Sequence, residues 1–158
     1  MKKFRKILVP IDTSERSQTI FEYALTFGDA LNLDIRVLHF VDSRIMQPMP
    51  YSYDQVGDDY YSKLSQEEIA AEIKKAVQKE LDQGATFDHK LNVRILVRFG
   101  VPYDQIIKTA KEKQVDFIVM GAKGQTALEE IFMGDVATKV SRRAECPVFL
   151  VRRRRTIS

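Results

Sequence analysis

Three glycines, with an aspartate beside the last of them, are the residues whose spacing could do chemistry in this chain. Gly121, Gly124 and Gly134 follow a short apolar run, Phe117 to Met120, in the stretch VDFIVMGAKGQTALEEIFMGDV from Val115 to Val136. An apolar run of this length, bounded by turn residues, reads as a buried strand. Glycines after it let the backbone approach a bound group closely and supply turns that other residues resist. Gly134 stands just before helix-like spacing at Val136, Ala137 and Val140. A glycine-rich loop between a strand and a helix N-terminus is a phosphate-cradling arrangement, because free amides point outward and the helix dipole favours an anion. The spacing is not GxGxxG, since the first interval is too long, and no Gly-Lys-Ser/Thr follows as in the Walker pattern. By physics alone two readings stay open, an anion cradle or ordinary loop residues.

The elements that must position this loop follow from hydrophobic spacing. Phe4 to Ile11 reads as a first strand, with Ile7, Leu8, Val9 and Ile11 almost continuous, as suits a parallel strand buried on both faces. Pro10 interrupts it near its end, where a missing amide costs little. Asp12, Thr13 and Ser14 form the turn, and any of them could cap the helix that runs to about Leu31. Asp34 to Val41 is a second strand containing His39, which reads as a packed, hydrogen-bonded residue because no Cys/His cluster accompanies it. The only other histidine, His89, stands beside a turn far along the chain.

Ser65 and Glu68 have the spacing of a capping box, opening a helix to about Gln83. In the third strand, Leu91 to Phe99, apolar residues alternate with Arg94 and Arg98, so one face looks wet and the strand suits a sheet edge. A turn at Gly100 leads to a short helix, Tyr103 to Lys113; then come the fourth strand, the glycine loop, a helix from Asp135 to about Arg143, and a fifth strand, Pro147 to Val151. Alternating strands and helices imply an α/β fold with a parallel sheet and right-handed crossovers.

The pattern Gly121-x2-Gly124-x9-Gly134 resembles the nucleotide-binding loop of the universal stress protein (UspA-like) family. The segments KILVPIDTSE, VLHFVD, FGVPYDQIIKTAKEKQVDFIVMGAKG and AECPVFLVRR resemble the family in the same order, covering Lys6 to Arg153. The resemblance implies one Rossmann-like domain of the adenine nucleotide alpha hydrolase type, with a five-stranded parallel sheet of order 3-2-1-4-5 and helices on both faces. That order makes the first and fourth strands neighbours that leave in opposite directions, and ligands bind at such a switch point. Asp12 and Gly121 should then face one crevice.

Carried over residue by residue, the resemblance implies that Pro10, Ile11, Asp12 and Val41 line the adenine side, and that Met120 and Gly121 flank the ribose and phosphates. Gly124, Gly134 and Val136 would offer backbone amides to the phosphates, and Lys123 could add a charge contact or face solvent. The implied ligand is an adenine nucleotide, ATP or AMP. Asp135 departs from the family's ATP-binding pattern, which has Ser or Thr after the last glycine. An ionised carboxylate is acceptor-only and repels phosphate: unit charges about 4 Å apart cost roughly 4 kcal/mol at an effective dielectric of 20. Asp135 could itself cap the helix and satisfy those amides. Alternatively a divalent cation such as Mg could bridge it to the phosphates, or its carboxylate could rotate away. The bridged or turned-away carboxylate leads to an adenine-nucleotide-binding stress-response protein. The capping carboxylate leads to a dimeric protein-interaction module with Asp135 blocking the phosphate site. Any ATP hydrolysis is expected to be slow, since no positioned base or arginine finger is evident. The Ser-Gly-Gly loop of ATP pyrophosphatases and the His-x-Gly-His of nucleotidyltransferases are absent.

Composition narrows the remaining classes. The chain has 158 residues with 44% apolar content, which suits a folded domain and argues against disorder. No stretch approaches a membrane span, and MKKFRK runs straight into a strand without a secretory h-region. The single cysteine, Cys146, fits a reducing cytoplasm. Net charge is +3, and without the four arginines at 152–155 it is −1, too small to argue for nucleic acid. That basic tail could touch RNA or anionic lipid, or simply be solvated. The segment Asp42 to Ser62, rich in Tyr, Met and Pro, could be a lid, a protein-partner site or a cover for the sheet edge. The family resemblance further implies a homodimer through the last strand, Cys146 to Val151, whose edge would otherwise be open.

Overall fold

The computed structural model describes residues 1, 3–12, 15–42, 65–84, 91–123 and 133–152. Gly124, Thr13, Ser14, His89, the arginines at 153–155 and all but the first residue of the segment from Asp42 to Ser62 lie outside the described residues.

Among the described residues five strands alternate with four helices: β1 (Lys6–Ile11), α1 (Glu15–Leu31), β2 (Asp34–Val41), α2 (Gln66–Gly84), β3 (Val93–Phe99), α3 (Pro102–Glu112), β4 (Phe117–Gly121), α4 (Asp135–Arg143) and β5 (Val148–Val151). All four strand pairings are parallel and the order is β3-β2-β1-β4-β5, as the resemblance implied. The apolar runs explain why β1 and β4 take the middle: each buries side chains on both faces. Ile7, Val9, Ile11 and Val119 join α1 and α2 in one core. Leu8, Ile118 and Met120 join α3 and α4 in the other. Residues such as Leu8 and Ile118, with no exposed surface, each contribute about 1.5–3 kcal/mol by leaving water.

The helix boundaries follow local chemistry. At the start of α2, Ser65 N–H donates to the Glu68 carboxylate at 2.7 Å and Glu68 N–H donates to Ser65 Oγ at 3.3 Å, the reciprocal pair expected from the spacing. Pro102 opens α3, where its missing amide has no partner to lose. Gly100 just before it has φ +141°, which a side chain resists. A staple ties β1 to the turn before β4: the Asp116 carboxylate accepts from the amides of Arg5 and Lys6 at 2.8 and 3.0 Å.

One proline shapes the middle of the sheet. The Lys6 carbonyl accepts from Asp116 N–H at 2.8 Å, so the even-numbered residues of β1 turn their backbone groups toward β4. Pro10 is therefore on the side that should donate to β4, and it has no N–H to give. The β1–β4 ladder stops at Leu8↔Ile118, while the β1–β2 ladder continues to Ile11↔His39. The two central strands separate where the crevice begins.

A cleft at the β1–β4 switch point

The cleft lies at the C-terminal ends of β1 and β4. Pro10, Ile11 and Asp12 form one wall, Met120, Gly121 and Lys123 the other, and Val136 with Ala137 of α4 close its end. Its enclosed part measures about 60 Å³. Asp12 and Gly121, 109 positions apart in sequence, thus face one crevice. Ile20, Phe40 and Ile106 also line it. Sequence reasoning did not single these out, because their apolar spacing signals only a core face; sheet order is what brings α1, β2 and α3 to the cleft.

Asp12 is held by Ser17. The Ser17 hydroxyl donates to Asp12 Oδ1 at 3.0 Å, and Asp12 N–H donates back to Ser17 Oγ at 3.3 Å. Ser17 is 6% exposed, so the first turn of α1 fixes the aspartate. Val41 stands beside the cleft lining, at the end of β2, where its carbonyl accepts from Gly100 N–H at 3.0 Å. Across the cleft, Ala122 N–H donates to the Val151 carbonyl at 3.0 Å, which turns the neighbouring backbone groups of Gly121 toward β1. A side chain at Gly121 would crowd this wall: a Cβ there would stand 3.0 Å from Ile20 Cδ1 and 3.2 Å from the Lys123 carbonyl.

The start of α4 corrects one expectation. Asp135 does not cap the helix. Gly134 is the N-cap, with φ −62° and ψ 156°, and no side chain bonds to the first-turn amides. Asp135 already has helical backbone, so its side chain projects along the helix surface. There it meets Lys139 one turn on, at 2.9 Å, with 76% of the aspartate side chain exposed. The first intrahelical bond is Thr138 N–H to the Gly134 carbonyl at 2.9 Å. Among the described residues nothing accepts from the amides of Asp135, Val136 and Ala137. Gly134 itself donates to the Ala122 carbonyl at 2.8 Å, fastening α4 to the end of β4.

His39 also differs from expectation. Its Nδ1 is buried without a hydrogen-bond partner, and the ring stacks on Phe40 with centroids 6.4 Å apart. Burial lowers its pKa below the usual 6.5, against an opposing pull from the Asp12 carboxylate. No group of three or more potential metal ligands occurs among the described residues, nor any helix long and apolar enough to cross a membrane.

Comparison with known proteins places this architecture. The model of the universal stress protein family matches residues 3–152. Universal stress protein MJ0577 of Methanocaldococcus jannaschii is 27% identical, over 96% of each chain. The structure of universal stress protein UspA from Lactobacillus plantarum superposes with a TM-score of 0.73 at 26% identity, covering 96% of this chain and 100% of that one. Two more distant neighbours share the fold: a universal stress protein in complex with cAMP, at 19% identity and TM-score 0.61, and one from Archaeoglobus fulgidus in complex with dAMP, at 21% and 0.60. With a parallel 3-2-1-4-5 sheet, a crevice at its switch point and a family match across nearly its whole length, the chain belongs to the universal stress protein family.

Proposed function

We propose that this chain binds an adenine nucleotide in the β1–β4 cleft and acts in stress response as a regulatory or protective homodimer. The observation that carries the reading is the start of α4. Among the described residues its first three amides have no acceptor and no side chain caps them, beside a cleft lined by Val136 and Ala137. A helix N-terminus of this kind favours an anion through both its free donors and its dipole. The cAMP and dAMP complexes of fold neighbours support an adenine nucleotide as the ligand class.

In this reading Pro10, Ile11 and Asp12 take the adenine side, with Val41 beyond them. Met120 and Gly121 flank the sugar, and the amides of Asp135, Val136 and Ala137, together with Gly124, receive the phosphates; the Gly134 amide, which the resemblance assigned to them, is instead given to the Ala122 carbonyl. Lys123 adds a positive charge at the cleft wall. Asp135 is no obstacle, because Lys139 balances its charge and holds the carboxylate on the outer surface. That pairing weighs against a module whose phosphate site is blocked. The role is binding, with any hydrolysis slow: among the described residues the one carboxylate lining the cleft, Asp12, is bonded to Ser17.

The test is direct. Protein purified without added nucleotide is denatured and filtered, and the released molecules are identified by mass spectrometry. AMP, ADP or ATP near one per chain is the expected result. An empty filtrate, followed by no binding when AMP and ATP with magnesium are titrated, rejects the proposal.

A further inference from the structure

Among the described residues β3 is an edge strand whose outer side pairs with no other strand. Ile35 N–H donates to the Asn92 carbonyl at 2.9 Å, and Gly100 N–H donates to the Val41 carbonyl at 3.0 Å. Successive residues of a strand turn their backbone groups to opposite sides. The even-numbered residues therefore face β2, and Val93, Ile95, Val97 and Phe99 turn their N–H and C=O groups outward. Among the described residues no strand pairs with that side. All four residues are half-buried and apolar, and the charges of the strand, Arg94 and Arg98, fall at the alternate positions.

The edge opens onto a broad groove of about 690 Å³ between α2 and β3. Ile95 forms part of its floor, and Lys74, Lys75 and Lys79 stand along its α2 wall. Among the described residues the one acidic side chain of the lining, Asp82, accepts from the Gln78 amide at 2.8 Å. Lys75 has only a loose exposed contact with Glu72, at 3.5 Å, and Lys74 and Lys79 have no ion pair among the described residues.

From these features we infer that the outer edge of β3, with the lysine wall of α2, receives an acidic extended segment of a partner protein as a sixth strand. Added strands gain affinity from main-chain hydrogen bonds and selectivity from side-chain surroundings. Here the outward amides of Val93, Ile95, Val97 and Phe99 supply the bonds, and the three ammonium groups select carboxylates. Charge on an edge strand also serves to repel unwanted pairing. In this chain, however, three cations bordering the open side stand on the neighbouring helix, while Arg94 and Arg98 of the strand fall at positions whose backbone faces β2. They leave the edge free for an acidic strand while disfavouring a basic one. The surface lies across β2 from the β1–β4 cleft, so binding to it is independent of nucleotide.

The test uses the full chain and a short fluorescein-labelled peptide alternating Glu and Val, followed by fluorescence anisotropy and by amide hydrogen exchange. The controls are the same peptide with Lys for Glu, and the Glu peptide N-methylated at alternate residues so that it cannot extend a sheet. Expected is saturable binding of the Glu peptide that weakens with salt. The amides of Val93, Ile95, Val97 and Phe99 should gain protection. Both control peptides should bind about tenfold more weakly or worse, and so should the Glu peptide to the Lys74→Gln, Lys75→Gln, Lys79→Gln variant. No binding at millimolar peptide overturns the inference. So does equal binding of the methylated peptide, or displacement by an oligonucleotide at equal charge, since either would show an anion patch rather than a strand site.

Discussion

Asp135 shows how one ion pair can alter the meaning of a residue. A carboxylate at the start of α4 would oppose phosphate, yet Lys139 sits one turn away at 2.9 Å and balances it. The pair is largely exposed, so its worth is held to about 1 kcal/mol or less. Lys139→Ala should therefore weaken nucleotide binding by only a few-fold, roughly 2–5. The double variant Asp135→Ser, Lys139→Ala should restore it, as read by calorimetric titration with AMP and ATP. His39 carries a second prediction at this scale. Its pKa is lowered in the fold, chiefly by burial. Below pH 6.5 the unfolded chain takes up a proton that the folded histidine resists. Its contribution is thus fully present above that value and is lost as pH falls toward the depressed folded value. Urea midpoints should drop between pH 7 and about 5, and the drop should be smaller in His39→Gln. An equal drop in both proteins would remove His39 from the account.

At the scale of elements, Pro10 decides where the central ladder ends. Restoring an amide with Pro10→Val supplies a donor facing β4, worth about 1 kcal/mol if the bond forms. The ladder should then extend past Leu8↔Ile118, the amide at position 10 should exchange slowly, and nucleotide affinity should fall about tenfold as the crevice narrows. A fast-exchanging amide with unchanged affinity would mean that the strands part for another reason. The elements themselves were largely legible. Strand and helix periods, the Ser65–Glu68 box and the half-wet β3 all follow from local spacing, and β3 does lie at an edge. The site was legible only in part. Asp12 and Gly121 stand where the order of strands predicts, but Ile20, Phe40 and Ile106 join them through packing that no local pattern encodes. Of the readings open for Asp135, the cap failed because cap propensity was applied to the residue type, and the turned-away carboxylate is the one the pair with Lys139 fits. The Asp–Lys spacing of four, a sequence signal for a helix-surface pair, was the better guide.

At the scale of the molecule, the two sheet edges differ. β5 has four residues, and its outward backbone groups belong only to Val148 and Leu150, since Pro147 and Val151 bond toward β4. So short an edge offers few hydrogen bonds to a second copy. What adjoins it is aromatic. Tyr23 and Phe27 of α1 pack on Phe149 with ring centroids 6.2 and 4.9 Å apart, and Phe27 continues to Phe117 at 5.9 Å. Phe149 is 42% exposed and Tyr23 38%, an unusual surface for two large rings side by side. An interface between copies needs about 800 Å² from each partner, and aromatic residues are the ones enriched there. The proposed homodimer should therefore depend on these rings more than on the strand. Phe149→Lys keeps the β5 backbone but places a charge on the aromatic face, one from each copy. The wild-type chain should be dimeric at micromolar concentration by light scattering, and Phe149→Lys should shift it to monomer with its thermal unfolding little changed. A variant that stays dimeric would move the interface away from β5. A wild-type chain that is monomeric at that concentration would remove the dimer from the proposal, leaving the proposed nucleotide site, which is built within one chain, unaffected.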